Sequence, residues 1–236
     1  RSEYVSRVIV STDDDEIAAV ARRFSAEVPF LRPEELAQDH TTDFPVLVHC
    51  LDWLQAEENY SPDIILWLRP TSPVRPKRLV DDAVSLLLEH PEGDSVRGVV
   101  PAGQNPFKMW QIDQDTGQMK SLLNVPGIKE PYNAPRQVLP DVYWQTGHID
   151  ATWLKTIREK NSMTGDIIFP VMVDPKYTVD IDLPEDWGDA EKILLKNHLD
   201  VVDPAKMRRD FPRSIDLILL DFDGVLTDDR VYVNSN

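Results

Sequence analysis

The chain has 236 residues, of which 42% are hydrophobic and 28% are charged, and its formal net charge is −16. This length and composition are typical of a soluble globular protein with one large domain or one and a half ordinary ones. An acidic chain without a basic run is a poor candidate for nucleic-acid binding. No apolar run approaches the ~20 residues that span a bilayer, so we expect no membrane segment. We find no signal peptide, and the single Cys50 excludes an intrachain disulfide, so we expect a cytoplasmic protein.

The first hundred residues alternate apolar strands with amphipathic helices. Continuously apolar runs predict buried strands at residues 7–11, 27–30, 63–68 and 95–101. Apolar positions at helical spacing predict helices near 17–24, 44–58 and 79–87, the first of them capped by Thr12 or Asp13. Strands and helices in this order predict an α/β fold with a mostly parallel sheet and right-handed crossovers.

The pattern changes in the middle of the chain. Residues 108–113 and 118–123 flank an Asp-Thr-Gly turn at 115–117, which predicts a hairpin. Residues 137–144 and 167–173 are predicted to be extended, with a helix near 151–159 between them. We interpret this region as an antiparallel insertion. It carries a group of large apolar side chains that is a partner surface, a sugar platform or ordinary core: Phe107, Met109, Trp110, Tyr132, Tyr143 and Trp144.

Two aspartates alternate with aliphatic residues near position 180. On a strand, Asp180 and Asp182 would share one face while Val179 and Ile181 share the other. Two such carboxylates are typical ligands of Mg²⁺, although an edge strand with two solvated aspartates explains the spacing equally well. A helix is predicted to follow at 184–198. The pair would then lie at the carboxyl end of a strand, where open α/β sheets bind ligands.

A second polar segment follows the strand at 63–68. The sequence Arg-Pro-Thr-Ser-Pro-Val-Arg at 69–75 predicts a rigid loop whose arginines can bind phosphate or carboxylate. It can also serve as the N-terminal turn of the next helix, and the two interpretations are compatible. After an aperiodic segment at 200–213, which we interpret as a linker, residues 215–220 predict another buried strand.

Five segments together resemble the acylneuraminate cytidylyltransferase family, the CMP-sialic acid synthetases, over about residues 4–198. They are Val-Ser-Thr-Asp-Asp-Asp-Glu-Ile-Ala (10–18), Glu-Val-Pro-Phe-Leu-Arg-Pro-Glu-Glu-Leu-Ala (27–37), the 69–75 loop, Pro-Arg-Gln-Val-Leu-Pro (135–140) and Val-Asp-Ile-Asp (179–182). The resemblance implies a Rossmann-like α/β nucleotidyltransferase, usually a homodimer. Such an enzyme joins CTP to a nine-carbon 2-keto sugar acid, with Mg²⁺, and releases pyrophosphate.

The resemblance also implies roles for individual residues. Asp180 and Asp182 match the aspartates that hold Mg²⁺ near the α-phosphate and the attacking sugar hydroxyl. Candidate substrate-binding residues are Arg32 on the nucleotide side, Arg69 and Ser72 in the 69–75 loop, and Lys108 and Arg136 facing the sugar acid and the triphosphate. Lys108 has the simpler alternative of a solvated hairpin lysine.

Four positions depart from the family pattern on the sugar side. Arg69 stands where the family commonly has Gln, Thr146 precedes Gly147 where Asn is usual, Trp144 replaces a basic residue, and Asp150 replaces an aromatic one. The resemblance therefore implies a related acid, such as KDN, legionaminate, pseudaminate or an octulosonate, as readily as N-acetylneuraminate.

The end of the chain resembles a second family. The segment Leu-Leu-Asp-Phe-Asp-Gly-Val-Leu-Thr-Asp at 219–228 is similar to the first motif of haloacid-dehalogenase-type sugar-acid phosphate phosphatases. There Asp221 would be the nucleophile and Asp223 the general acid/base, with Mg²⁺ beside them. We therefore expect a cytidylyltransferase domain at 1–199, a linker at 200–213 and an incomplete phosphatase domain at 214–236.

Two alternative functions remain open. The phosphatase could be the main activity, with the synthetase-like part binding substrate, or the chain could be a non-catalytic, dimerising sugar-nucleotide binding module. The family's Gly-rich phosphate loop, on a first strand, has no counterpart in the sequence. We therefore expect the chain as given to be an inactive fragment in both reactions.

Overall fold

The computed structural model describes residues 2–196 and 199–201, and the backbone of 216–221. Within them lie eight strands: β1 (Val5–Ser11), β2 (Ile64–Leu68), β3 (Ser95–Pro101), β4 (Trp110–Ile112), β5 (Met119–Ser121), β6 (Tyr143–Trp153), β7 (Ile168–Met172) and β8 (Asp216–Asp221). The α-helices of the same residues are α1 (Asp15–Arg23), α2 (Asp43–Glu58), α3 (Leu79–Glu89), α4 (Leu154–Lys160) and α5 (Asp186–Lys196). No helix in this described part combines the length and hydropathy needed to cross a membrane.

The chain divides into two compact units, one formed by residues 1–98 with 146–236 and the other by residues 99–145. The sheet has six strands in the order β1-β8-β2-β6-β3-β7, and β4 and β5 form a separate two-stranded hairpin. The expected α/β class and the hairpin are therefore confirmed. The sheet is mixed, however, because β6 runs antiparallel to β2.

The core of the first unit forms where α2 covers the sheet. All five residues of β2 are buried, as expected for a strand covered on both faces. Leu47, Leu51 and Leu54 of α2 pack with Ile9 and Trp67 in one hydrophobic cluster. Burying each such side chain contributes ~1.5–3 kcal/mol, so this cluster holds the sheet on which the polar loops are built.

Four local predictions were wrong in detail. Helix α1 is capped by Asp14, whose side chain accepts from the Ile17 N–H, and not by Thr12 or Asp13. Residues 27–30 contribute only a single parallel bridge between Ile9 and Glu27 in place of a strand.

The third difference is the length of β6. The segment 151–153 was predicted as helix, but Trp153 and Thr152 pair with Ile64 and Ile65 of β2. Pairing with β2, which is distant in the sequence, therefore outweighs the weak helical pattern of these residues. Extended structure was also expected from residue 137, where the chain instead makes a 3₁₀ turn at Arg136–Val138.

Strand β8 confirms the strand predicted at 215–220. It lies between β1 and β2 and runs parallel to both, with Val10 opposite Leu220 and Leu66 opposite Ile218. Its Leu-Ile-Leu-Leu run is typical of a central parallel strand, and its backbone groups complete the hydrogen bonding of its two neighbours. Within the described residues the strand is thus a member of the six-stranded sheet, and the expected division into a linker at 200–213 and a second domain at 214–236 stays a prediction. Most of the predicted linker lies outside the described residues.

Asp94 anchors the turn before β3, and its removal should lower stability in a pH-dependent way. Its Oδ2 accepts from Lys160 Nζ at 2.8 Å and from the backbone N–H groups of Asp166 and Ile167 at 2.7 and 2.9 Å. These bonds, that from Lys160 foremost, lower the pKa of Asp94 to about 2. We expect Asp94→Ala to lower the free energy of unfolding by about 1–3 kcal/mol at pH 7, because three donors lose their acceptor.

The sign of the pH dependence follows from the depressed pKa. The contribution of Asp94 is complete above its ordinary pKa of 3.8 and is lost as the pH falls through about 2. Urea unfolding should therefore show a smaller difference between the wild type and Asp94→Ala at pH 2.5 than at pH 7. Asp166→Ala is the control, because that exposed carboxylate bonds to the same Lys160. A difference that is independent of pH would contradict the assignment.

Candidate functional site

Two segments that the sequence singled out meet at the carboxyl end of β2. The 69–75 loop leaves β2, and the buried Ser72 donates its hydroxyl to Asp180 Oδ1 at 3.4 Å. The Ile181 N–H donates to the Thr71 carbonyl at 2.8 Å. The structure therefore brings together two of the predicted substrate-binding and metal-binding residues, Ser72 and Asp180.

The Asp-x-Asp segment is not a strand, which corrects the sequence-based prediction. The chain makes a 3₁₀ turn at Pro175–Tyr177 and then runs without regular structure to the start of α5. The predicted alternation is nevertheless present, since Val179 and Ile181 are buried while Asp180 and Asp182 are exposed. Packing of the two aliphatic side chains and one bond to Thr71 hold the segment in place of a strand ladder.

The two aspartates fit a Mg²⁺ that takes its remaining ligands from a nucleotide. Both carboxylates are exposed, and neither forms an ion pair with a lysine or arginine of the described residues. Those residues contain no cluster of three or more His, Cys, Asp or Glu side chains that could enclose a metal ion. Mg²⁺ is commonly bound by one or two carboxylates together with water and substrate phosphates, so an open pair of this kind is suitable.

Gly147 allows the 69–75 loop to approach β6 closely. The Arg69 N–H donates to the Gly147 carbonyl at 3.1 Å. A Cβ at position 147 would lie 2.5 Å from Ser72 Oγ and 3.2 Å from Arg69 Cβ. Only a residue without a side chain fits between these atoms, so the close approach of Ser72 to β6 depends on this glycine.

His148 and Arg75 link the loops of the site through hydrogen bonds to backbone carbonyls. The Nε2 of the buried His148 lies 3.2 Å from the carbonyl oxygens of both Val74 and Tyr177, so Nε2 carries the proton and links the two site segments. Burial lowers the pKa of His148, which keeps the ring neutral. Arg75 donates to the His148 carbonyl at 2.8 Å and to the Arg69 carbonyl. In this structure Arg75 thus braces the loop, and burial lowers its pKa to about 10.

A network of four charged side chains lies beside this loop. The buried Asp150 accepts from Arg97 Nε at 2.6 Å and Nη2 at 3.2 Å, and from Arg69 Nη1 at 3.2 Å. Arg69 Nη2 also pairs with Asp43 at 2.6 Å. Burial alone lowers the pKa of Arg69, but Asp43 and Asp150 more than offset this effect, so the pKa is raised. Sequence reasoning missed Arg97 and Asp43, which carry no local signal.

Two further predicted residues, Arg32 and Asp221, lie at the end of β1. Arg32 is buried, its Nε donates to Ser11 Oγ at 3.1 Å, and its backbone N–H donates to the Thr12 carbonyl at 2.8 Å. Asp221 ends β8 opposite Ser11. Asp223 lies outside the described residues. The predicted contact of Arg32 with the nucleotide stays a prediction.

Lys108 and Arg136 belong to the 99–145 unit and brace its loops. Lys108 is exposed at the end of the 3₁₀ turn Pro106–Lys108, and its Nζ donates to the carbonyls of Ala134 at 2.6 Å and Tyr132 at 3.3 Å. Arg136 Nη2 donates to the Ala102 carbonyl at 2.7 Å. Their predicted contacts with substrate stay predictions.

Comparison with known proteins gives several relatives, although no family model matches the chain. The chain is 29% identical over 198 residues to the CMP-N,N'-diacetyllegionaminic acid synthase of Legionella pneumophila, covering 84% of this chain and 82% of that protein. It is 26% identical over 236 residues to N-acylneuraminate cytidylyltransferase A of Danio rerio and spans 50% of that longer protein. No phosphatase is named among these relatives.

Solved structures support the fold. A CMP:2-keto-3-deoxy-manno-octonic acid synthetase in complex with CTP matches with a TM-score of 0.54 at 15% identity, over 84% of each chain. The 4-diphosphocytidyl-2C-methyl-D-erythritol synthase of Anaerococcus prevotii matches with a TM-score of 0.52 at 16% identity, over 81% of this chain and 82% of that one. At these identities the likeness concerns the α/β fold alone.

Proposed function

We propose that this chain carries the substrate site of a cytidylyltransferase of the acylneuraminate (CMP-sugar synthetase) family, which activates a sialic-acid-like 2-keto sugar acid with CTP and releases pyrophosphate. One observation carries the proposal. The Ser72–Asp180 bond brings the 69–75 loop and the Asp-x-Asp pair together at the carboxyl end of β2, where α/β sheets bind nucleotides. The names of the sequence relatives describe the same chemistry.

The reaction is a displacement at the α-phosphorus. An oxygen–phosphorus bond forms from the sugar hydroxyl, the bond to the pyrophosphate oxygen breaks, and the hydroxyl proton passes to water. Mg²⁺, held by Asp180 and Asp182, would neutralise charge on the phosphates. Ser72 fixes Asp180, and the 69–75 loop supplies a rigid wall on which the sugar acid is oriented.

Pyrophosphate release by the full-length protein tests the proposal. The assay contains CTP, Mg²⁺ and one of several acids: N-acetylneuraminate, legionaminate, pseudaminate, KDN or an octulosonate. We expect release with at least one acid, and loss of release when Mg²⁺ is chelated. Absence of release with every acid and every nucleoside triphosphate would contradict the proposal. Release of phosphate from a sugar-acid phosphate, without pyrophosphate release, would favour a phosphatase.

We also propose that the protein is a homodimer, because the 99–145 unit exposes a set of large apolar side chains. Its exposed large apolar side chains are Trp110, Ile112, Met119, Leu122, Leu123, Val138, Tyr143 and Trp144. Ile112 and Met119 are cross-strand neighbours in the hairpin, so part of this surface is continuous. Exposed apolar surface of this kind is typical of a protein interface.

Light scattering tests this interface. We expect the wild type to have the mass of a dimer at micromolar concentration, and Ile112→Lys combined with Met119→Lys to have that of a monomer. Gln114→Lys, in the turn of the same hairpin, is the control for added charge. A monomeric wild type, or a double variant that remains dimeric, would contradict the assignment.

A further inference from the structure

Arg69 is held between two carboxylates that differ in their access to solvent. The side chain of Asp150 is 2% exposed, whereas that of Asp43 is 31% exposed and that of Arg69 is 27% exposed. Asp150 is further fixed by two bonds from Arg97. The ion pair of Arg69 with Asp150 is therefore buried and fixed. The ion pair of Arg69 with Asp43 is the one that is accessible to a ligand from solvent.

The position of Arg69 places it in the wall of the site. It is the first residue after β2, its N–H bonds to Gly147, and its carbonyl accepts from the Ser72 N–H at 3.3 Å. Ser72 in turn bonds to Asp180. The backbone of Arg69 is thus held by hydrogen bonds to Gly147 and Ser72, and Ser72 bonds to the proposed reaction centre at Asp180.

We propose that Arg69 binds the carboxylate of the sugar acid, and that Asp43 occupies this place until the substrate displaces it. A guanidinium presents five N–H donors in a planar fork, and carboxylates bind it through two parallel bonds. Asp150 holds the fork in place. A substrate carboxylate takes the position of Asp43 without changing the net charge of the network. The proposal rests on the proposed function, because it assigns one substrate group to the same site.

Asp43 can leave Arg69 at little cost. It is the first residue of α2, where the positive end of the helix dipole stabilises a carboxylate. The preceding Thr42 makes no side-chain capping bond, so the N–H groups of the first turn can donate hydrogen bonds to the Asp43 carboxylate when it leaves Arg69. An uncharged amide or ester of the sugar acid lacks the charge to replace Asp43, so the exchange selects for the free acid.

Steady-state kinetics of the full-length protein test the exchange. We expect Arg69→Gln to raise the KM for the sugar acid about 10- to 100-fold and to leave the KM for CTP within about twofold. Asp43→Asn, which removes the competing charge, should lower the KM for the sugar acid about threefold or more. The wild type should prefer the acid to its carboxamide, and Arg69→Gln should lose most of that preference. Arg78→Gln, an exposed arginine beyond the same loop, is the matched control.

The outcomes separate this proposal from the function on which it rests. If the wild type releases pyrophosphate and Arg69→Gln leaves the KM for the sugar acid unchanged, carboxylate binding by Arg69 is overturned. If Asp43→Asn raises this KM as Arg69→Gln does, Asp43 positions Arg69 and the exchange is overturned. CTP binding and thermal unfolding report whether each variant is folded, and the partly exposed Asp43→Asn keeps the test decisive if Arg69→Gln does not fold. Absence of pyrophosphate release by the wild type would refute the function itself.

Discussion

Asp180→Asn is expected to lower the rate of pyrophosphate release at least about 100-fold while leaving the fold intact. The carboxylate is exposed, and among the described residues its hydrogen-bond donor is Ser72. Its loss should therefore change the free energy of unfolding by no more than about 0.5 kcal/mol. An amide binds Mg²⁺ more weakly than a carboxylate does, so the variant should also need more Mg²⁺ for half-maximal release.

Asp174→Asn is the matched control for this substitution. Asp174 is also exposed, belongs to the same segment and pairs with Lys176 at 2.6 Å, not with a residue of the 69–75 loop. We expect its rate and its Mg²⁺ dependence to stay within about twofold of the wild type. Equal losses in the two variants would point to a general effect of charge. An unchanged rate in Asp180→Asn would favour a non-catalytic binding module.

Gly147→Ala is expected to reduce both stability and activity. The new methyl group would overlap Ser72 Oγ, because the Cβ of an alanine at this position would lie only 2.5 Å from that oxygen. Overpacking of this kind costs about 1–3 kcal/mol. Rotation of the Ser72 side chain would relieve the overlap, but it would also break the bond to Asp180. We therefore expect pyrophosphate release to fall about 10-fold or more even if stability recovers.

Gly188→Ala is the control for adding a methyl group. A Cβ at position 188 meets nothing within 4 Å, and this glycine lies in α5. Alanine is the better helix former, so this variant should be as stable as the wild type or more stable by up to about 1 kcal/mol. Urea unfolding and pyrophosphate release measured on both variants check the pair. Wild-type stability and rate in Gly147→Ala would show that Ser72 does not depend on this close approach.

Local patterns in the sequence determined the elements that depend on neighbours along the chain. The aliphatic run at 64–68 was enough to predict β2, and the apolar spacing of Leu47, Leu51 and Leu54 was enough to predict α2. The alternation around Asp180 correctly assigned which side chains are exposed and which are buried. Such periodicity indicates that one face of the segment is buried, and it does so both for a regular strand or helix and for an irregular backbone.

Pairing between distant segments decided the rest of the fold. Residues 151–153 join β6 because they pair with β2, and β8 enters the main sheet because it pairs with both β1 and β2. The Asp180 segment does not become a strand because, among the residues that the structure describes, the Thr71 carbonyl is the one distant backbone acceptor that it meets, and no ladder forms. None of these partners can be deduced from the local composition of the segment itself.

The residues of the candidate site show the same division between what the sequence determines and what the tertiary structure decides. The sequence by itself indicated Arg69 as a candidate ligand, because it lies in a polar loop after a buried strand, and the resemblance to the acylneuraminate cytidylyltransferases added Ser72 and the metal-binding role of Asp180. Only the tertiary structure decided that Asp150, Arg97 and Asp43 form one network around Arg69, and that His148 ties the two loops together. The physical reason is that a buried charge or imidazole must find its partners in space, and those partners come from strands and helices far apart in the chain.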